Sequence, residues 1–136
     1  MMRWEEMHEG ADLPALEKPP VDRVQLVKYA GASGDFNRMH YDDGFAREGG
    51  YPGVFAHGML IMGFLGQLAS DLAGGPGGVV KLGSRFRAIT WPGDVVTCRA
   101  RVVRKDAAAR TVDLQMQAVK PDGTVVVEGT ATIRVA

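Results

Sequence analysis

The run MLIMGFLGQLASDLA, residues 59–73, decides how the rest of the chain is read. Almost every position is apolar or small, and Gly63, Gly66 and Ala69 recur at helical spacing. That pattern predicts a helix enclosed on most of its sides rather than one lying on a surface. Glycines are tolerable in such a helix where other backbone must approach closely. The GGPGG that follows ends it, and the run is too short and too interrupted to span a bilayer.

Beyond Gly78 the period changes from helical to two. Leu82, Ser84, Phe86 and Ala88 alternate with Lys81, Arg85 and Arg87, and Val96, Cys98, Ala100 and Val102 with Thr97, Arg99 and Arg101. The same alternation runs through Val112, Leu114, Met116 and Ala118, then through Val127, Gly129, Ala131, Ile133 and Val135. Turn formers separate the four stretches at Trp91-Pro92-Gly93-Asp94, Lys105-Asp106-Ala107 and Pro121-Asp122-Gly123. Four antiparallel strands with one apolar face each, and one helix able to satisfy them all, predict an α+β domain: an antiparallel sheet wrapped around a long central helix. Upstream, Leu13 to Pro20 reads as a surface connection after a short N-terminal strand. Val21 to Ala32 reads as a helix capped by Asp22 and stopped by Gly31 and Gly34.

At 136 residues, a single domain over positions 1–136 is expected, with room for a real core and none for a second domain. Lysine plus arginine balance aspartate plus glutamate at 16 each, with no run of like charge, so nucleic acid is not the expected partner. The single cysteine, Cys98, falls in a strand-like stretch, which rules out an internal disulfide and fits a reducing compartment. The opening MMRWEEMHEG lacks a signal-peptide apolar run, so a cytoplasmic location without a membrane segment is expected.

The chemistry-bearing residues gather in YAGASGDFNRMHYDD, residues 29–43, where helical sequence gives way to turn formers. GASGD is one glycine short of a nucleophile elbow and leaves a helix instead of joining a strand to one, so Ser33 is not the expected nucleophile. Asp35, His40 and His57 are acceptable zinc donors, but no fixed spacing holds them on one face, and no metal is expected. Two readings of Asp35, Asn37 and His40 stay open from spacing alone. They form either an Asx-rich turn with an incidental histidine, or a set in which carboxylate and neutral imidazole pin a water and take its proton while the amide orients it. In the second segment, Phe55 to Leu60, a loop enters the buried helix. Backbone N–H groups there could meet a carbonyl oxygen acquiring negative charge, and Gly58 leaves room for it. For His57 alone the favoured reading is a satisfied, partly buried residue that fixes the loop through its ring nitrogens.

Together these residues resemble a family. The Tyr-Ala-x-x-Ser-Gly-Asp-x-Asn-x-x-His of Tyr29 to His40, the Ala-His-Gly-Met-Leu of Ala56 to Leu60 and the Arg-Phe…Pro-Gly-Asp of Arg85 to Asp94 look like MaoC-type (R)-specific enoyl-CoA hydratases/dehydratases of the hotdog fold. The resemblance runs from about Val21 to the C-terminus. It implies a single hotdog domain, an acyl-CoA or acyl-carrier-protein thioester as substrate, no cofactor, and reversible hydration of a trans-2-enoyl thioester to the (R)-3-hydroxyacyl product. By position, Asp35 and His40 hold and activate water, Asn37 assists in the same loop, and the Gly58 N–H binds the thioester oxygen. His57, Met59 and Leu60 are expected beside the substrate. Arg38 and Met39 depart from the family's pattern after the asparagine, and Gly66 stands where some members carry a serine.

The rival readings are an acyl-CoA thioesterase on the same fold and a non-catalytic hotdog scaffold subunit. The first typically needs an acid on the central helix, where the only one is Asp71 at the far end, and the second predicts loss of Asp35 or His40. A sheet wrapped on one helix also leaves two edges to be covered. Two-fold pairing is therefore expected, as a homodimer, a heterodimer with a related hotdog subunit, or a higher oligomer. Arg85 and Arg87, outward on the first long strand, are the candidates for the CoA phosphates.

Overall fold

The computed structural model describes Met1–Ala136. Its central helix, α3 (Gly58–Ala73), buries Leu60, Ile61, Phe64, Leu65, Leu68, Ala69 and Leu72. Burying each large apolar side chain of that set is worth roughly 1.5–3 kcal/mol, which makes this face the main anchor of the core. Met59, Gly63, Gln67 and Asp71, spaced four apart, stay exposed. The helix is thus enclosed on three sides and open along one stripe, because one curled sheet covers only part of its circumference.

The sheet has five antiparallel strands in the order β1-β3-β4-β5-β2: β1 (Leu16–Glu17), β2 (Val79–Phe86), β3 (Thr97–Asp106), β4 (Thr111–Val119) and β5 (Val125–Arg134). Registers such as Ala100 opposite Met116 and Leu114 opposite Ala131 put the alternating apolar residues on the face that meets α3. Helix and sheet approach so closely that a Cβ at Gly129 would lie 3.0 Å from Leu65 Cδ1 and 3.2 Å from Gly83 O, so a side chain there would make its neighbours shift. One edge of the sheet, the two-residue β1, is short. The other, the eight-residue β2, pairs only with β5 and leaves Val80 and Phe86 half exposed.

Three expectations differ from the observed elements. Before Leu13 the expected strand is reduced to one bridge: Trp4–Glu6 makes a single 3-10 turn, Asp12 bridges Arg101, and the two-residue strand Leu16–Glu17 falls inside the segment read as a connection. There Leu13 N–H donates to Ala100 O and Lys18 N–H to Val96 O, and an edge position tolerates the intervening proline. The first helix, α1 (Arg23–Ser33), is capped as expected by Asp22, whose Oδ1 accepts from Gln25 N–H at 2.7 Å, but Gly31 lies within it. Gly34 alone ends it, at φ 74°, where a side chain would be strained. Last, α2 (Asp43–Glu48) has no counterpart in the sequence reading; its signal is the cap Asp42, which accepts from Phe45 N–H. No helix is long and apolar enough to cross a membrane.

Candidate active site

Leaving α1 at Gly34, the chain folds into a ladder of side chain to backbone bonds. Ser33 Oγ donates to Tyr29 O at 2.7 Å and accepts from Asp35 N–H at 3.2 Å, so its hydroxyl is committed to the turn. Asp35 Oδ1 accepts from Asn37 N–H at 3.2 Å, and Asn37 Oδ1 accepts from Met39 N–H at 3.1 Å, capping the 3-10 turn Arg38–His40. Asn37 therefore spends its carbonyl oxygen on shaping the loop. The turn it caps brings His40 back beside Asp35, whose second carboxylate oxygen has no protein partner.

His40 is 8% exposed, and its Nδ1 lies 2.7 Å from Phe55 O. A carbonyl oxygen only accepts, so Nδ1 carries the proton and a neutral ring keeps Nε2 as a bare lone pair. Phe55 meets the ring edge-on at 5.2 Å between centroids, and His57 stacks on it at 3.7 Å. His57 in turn is 1% exposed, donates through Nε2 to Asp35 O at 3.2 Å, and packs against Tyr29. In this geometry His57 ties the loop of Asp35 to the start of α3 and holds the His40 ring in place. Asp43 fixes the approach from the other side: it accepts from Val54 N–H at 3.0 Å and from the Arg23 guanidinium at 2.8 Å.

At the start of α3, His57 occupies the cap position without a side-chain cap bond, and the Gly58 and Met59 N–H groups have no protein acceptor. Asp35, His40, His57 and Gly58 are among the residues that line a cavity of roughly 330 Å³. Met59, Ile61, Phe86, Ala88, Ile89 and Val127 give the remainder an apolar wall. A hydrogen-bond acceptor at the Gly58 N–H, a proton acceptor at His40 and an apolar slot thus meet in one hollow.

Other residues named from the sequence lie elsewhere. Leu60 is 8% exposed within the hydrophobic core. Arg85 and Arg87 share the outer sheet face with Glu128, opposite Phe86, and Arg87 pairs with Glu128 at 2.9 Å. Sequence reasoning gave no role to Phe86, Ile89, Thr90 or Val127. For Phe86 a signal exists in its place inside the Arg-Phe…Pro-Gly-Asp motif, but the others carry none.

Although no sequence spacing announces it, the fold brings donor atoms of Asp35, His40 and His57 within 4.8 Å of one another. Ring geometry argues against their sharing an ion. The two imidazole planes are stacked only 24° apart, so their in-plane lone pairs run side by side instead of converging, and a carbonyl oxygen occupies one nitrogen of each.

Burial pulls the His57 pKa below its ordinary 6.5, the nearby His40 adds to the effect, and the bond to the Asp35 carbonyl opposes it. Folded His57 binds a proton more weakly than unfolded His57, so below pH 6.5 the unfolded chain takes up the extra proton. Stability is independent of this group above that value and drops as pH falls through the window beneath it. Asp42 and Asp43, held below their ordinary 3.8 by hydrogen bonds from Arg38 and Arg23, lose their stabilising contribution only at more acid pH. Tm should therefore decline from about pH 6.5 to 5, and His57→Gln should flatten that decline. An unchanged slope in the variant would remove His57 from the account.

The family described as "MaoC like domain" matches residues 8–126. An (R)-specific enoyl-CoA hydratase of Rhodospirillum rubrum is 29% identical over 133 residues, 97% of this chain and 90% of its own. Among solved structures, the (R)-hydratase from A. caviae involved in PHA biosynthesis superposes with a TM-score of 0.87 at 22% identity, covering 97% of this chain and 99% of that one. The ChsH1-ChsH2 complex from Mycobacterium tuberculosis gives 0.82 at 23%, covering 95% and 98%. At such identities these two structures speak for the fold, which is the hotdog fold.

Proposed function

The chain belongs to the MaoC-like domain family, and from that premise we propose that it hydrates trans-2-enoyl-CoA thioesters to (R)-3-hydroxyacyl-CoA, reversibly. The observation that carries this reading is that Asp35, His40 and the unpartnered Gly58 N–H line one largely apolar cavity. The bare Nε2 of His40 takes a proton from water while the free oxygen of Asp35 accepts the second O–H and fixes its direction. The water oxygen bonds to C3, the C2=C3 electron pair moves toward the thioester, and the Gly58 N–H, aided by the positive end of α3, holds the charge that collects on the carbonyl oxygen. C2 then receives the proton removed from the water, so one water supplies both the hydroxyl and the new hydrogen. Asn37 serves by shaping the turn, and His57 by holding the His40 ring.

Thioester hydrolysis gains no support from the site. The one acid on α3, Asp71, lies thirteen residues beyond Gly58, about 20 Å along the helix. The decisive assay follows loss of the enoyl thioester absorbance of crotonyl-CoA alongside free-thiol release. Hydration without thiol release is expected, and thiol release without hydration would overturn the reading.

The same proposal includes pairing through β2. That edge is eight residues long and unpaired, and Val80, Phe86 and Met59 are more than half exposed beside it or on the open stripe of α3. A second copy or a related hotdog subunit would cover both and extend the cavity into a cleft long enough for the CoA tail. Light scattering should give at least a dimer at micromolar concentration. A fully active monomer there would sink the shared cleft.

A further inference from the structure

Phe86 closes β2 on the inner face of the sheet, opposite Val127, yet it remains 52% exposed. Its ring lies directly against Gly58: a Cβ built there would fall 2.9 Å from Phe86 Cδ1 and 3.1 Å from Cε1. A side chain at position 58 would thus have to displace this ring. The ring lines the same cavity as Ala88, Ile89, Asp35 and His40.

We infer that Phe86 is the specificity-determining residue for carbon 2 of the substrate, restricting the chain to enoyl thioesters that carry only hydrogen there. The inference rests on the proposed hydration. If the thioester oxygen sits on the Gly58 N–H, the atoms within reach of a ring packed against Gly58 are those bonded to the carbonyl carbon, namely the sulfur and C2. Sulfur is common to every thioester, so the ring can discriminate only at C2. A methyl group on that carbon meets an aromatic wall that cannot retreat toward Gly58 without closing on its backbone. The acyl tail beyond C4 runs away from this contact, so chain length is read elsewhere.

The test compares kcat/KM for crotonyl-CoA, trans-2-hexenoyl-CoA and 2-methylcrotonyl-CoA in the wild type, Phe86→Ala and Phe86→Leu. Taking the ratio of ratios between proteins cancels the lower intrinsic reactivity of the methylated alkene. The crotonyl preference over the 2-methyl substrate should shrink at least about tenfold in Phe86→Ala, since a pocket's discrimination against one methylene is worth about 10–200-fold. In Phe86→Leu most of the preference should persist, and the crotonyl to hexenoyl ratio should stay within about threefold throughout. A preference unchanged in Phe86→Ala overturns the assignment, as does an equal change for the hexenoyl substrate, which would make the ring a general wall. If the wild type hydrates none of the three, the hydration reading fails and this inference with it. If it hydrates crotonyl-CoA and Phe86→Ala leaves discrimination intact, only this inference fails. A Tm measured for each variant separates loss of fold from loss of discrimination.

Discussion

Asp35→Asn and His40→Ala should each lower crotonyl-CoA hydration on the order of 100-fold or more, with the Tm of Asp35→Asn close to that of the wild type. Asn at position 35 keeps an oxygen for the Asn37 N–H, so the turn survives while the charge that steers the water is lost. Alanine at position 40 removes the Nε2 base together with the bond to Phe55 O, and some stability goes with it. His40→Gln serves as the control, because its amide can still donate toward Phe55 O without acting as a base near neutral pH. Carboxylate and imidazole act on one water, so the double variant should be scarcely slower than the worse single variant. Near wild-type turnover in a folded Asp35→Asn or His40→Gln protein would break the assigned site.

Much of the fold could be read from periodicity because its two periods do not overlap. The apolar α3 run and the alternation after Gly78 each have one physical solution, and the buried sets Val96 to Val102 and Val112 to Ala118 follow the pattern residue by residue. What escaped notice depends on partners distant in sequence. Leu16–Glu17 becomes a strand only because β3 has an edge to offer, and the Leu13 to Pro20 segment carries no alternation that would announce it. In α1 the apolar Val24 and Val27 are about 60% exposed while Leu26 and Ala30 are buried, so the side that packs cannot be chosen from composition.

The site divides in the same way. Local hydrogen bonds set the turn from Ser33 to His40, and its Asx residues announce it. The loop is an Asx-rich turn, and it also brings a carboxylate and an imidazole to one cavity, which is the placement the proposed catalytic role needs. The stacking of His57 on His40 joins residues seventeen apart, and the contact of Phe86 with Gly58 joins residues twenty-eight apart on different elements. No spacing rule reaches either contact.

That second contact makes the role of the Gly58 N–H separable from the space around it. Gly58 is the first residue of α3, and His57 before it sits at φ −60°, ψ 133°. A proline is welcome at the first helical position and requires this kind of extended residue before it, so Gly58→Pro deletes the N–H without breaking the helix. The obstacle is steric, since any Cβ at position 58 meets the Phe86 ring. Both test proteins are therefore built on Phe86→Ala. Gly58→Ala with Phe86→Ala keeps the N–H and adds a Cβ, whereas Gly58→Pro with Phe86→Ala adds a Cβ and removes the donor. Losing one oxyanion donor costs about 10²–10³ in kcat, so the proline protein should turn over crotonyl-CoA slower than the alanine protein by about that factor, with KM changing much less. Equal kcat in two folded proteins would mean that negative charge does not collect at the start of α3, and the thioester oxygen would need a different donor.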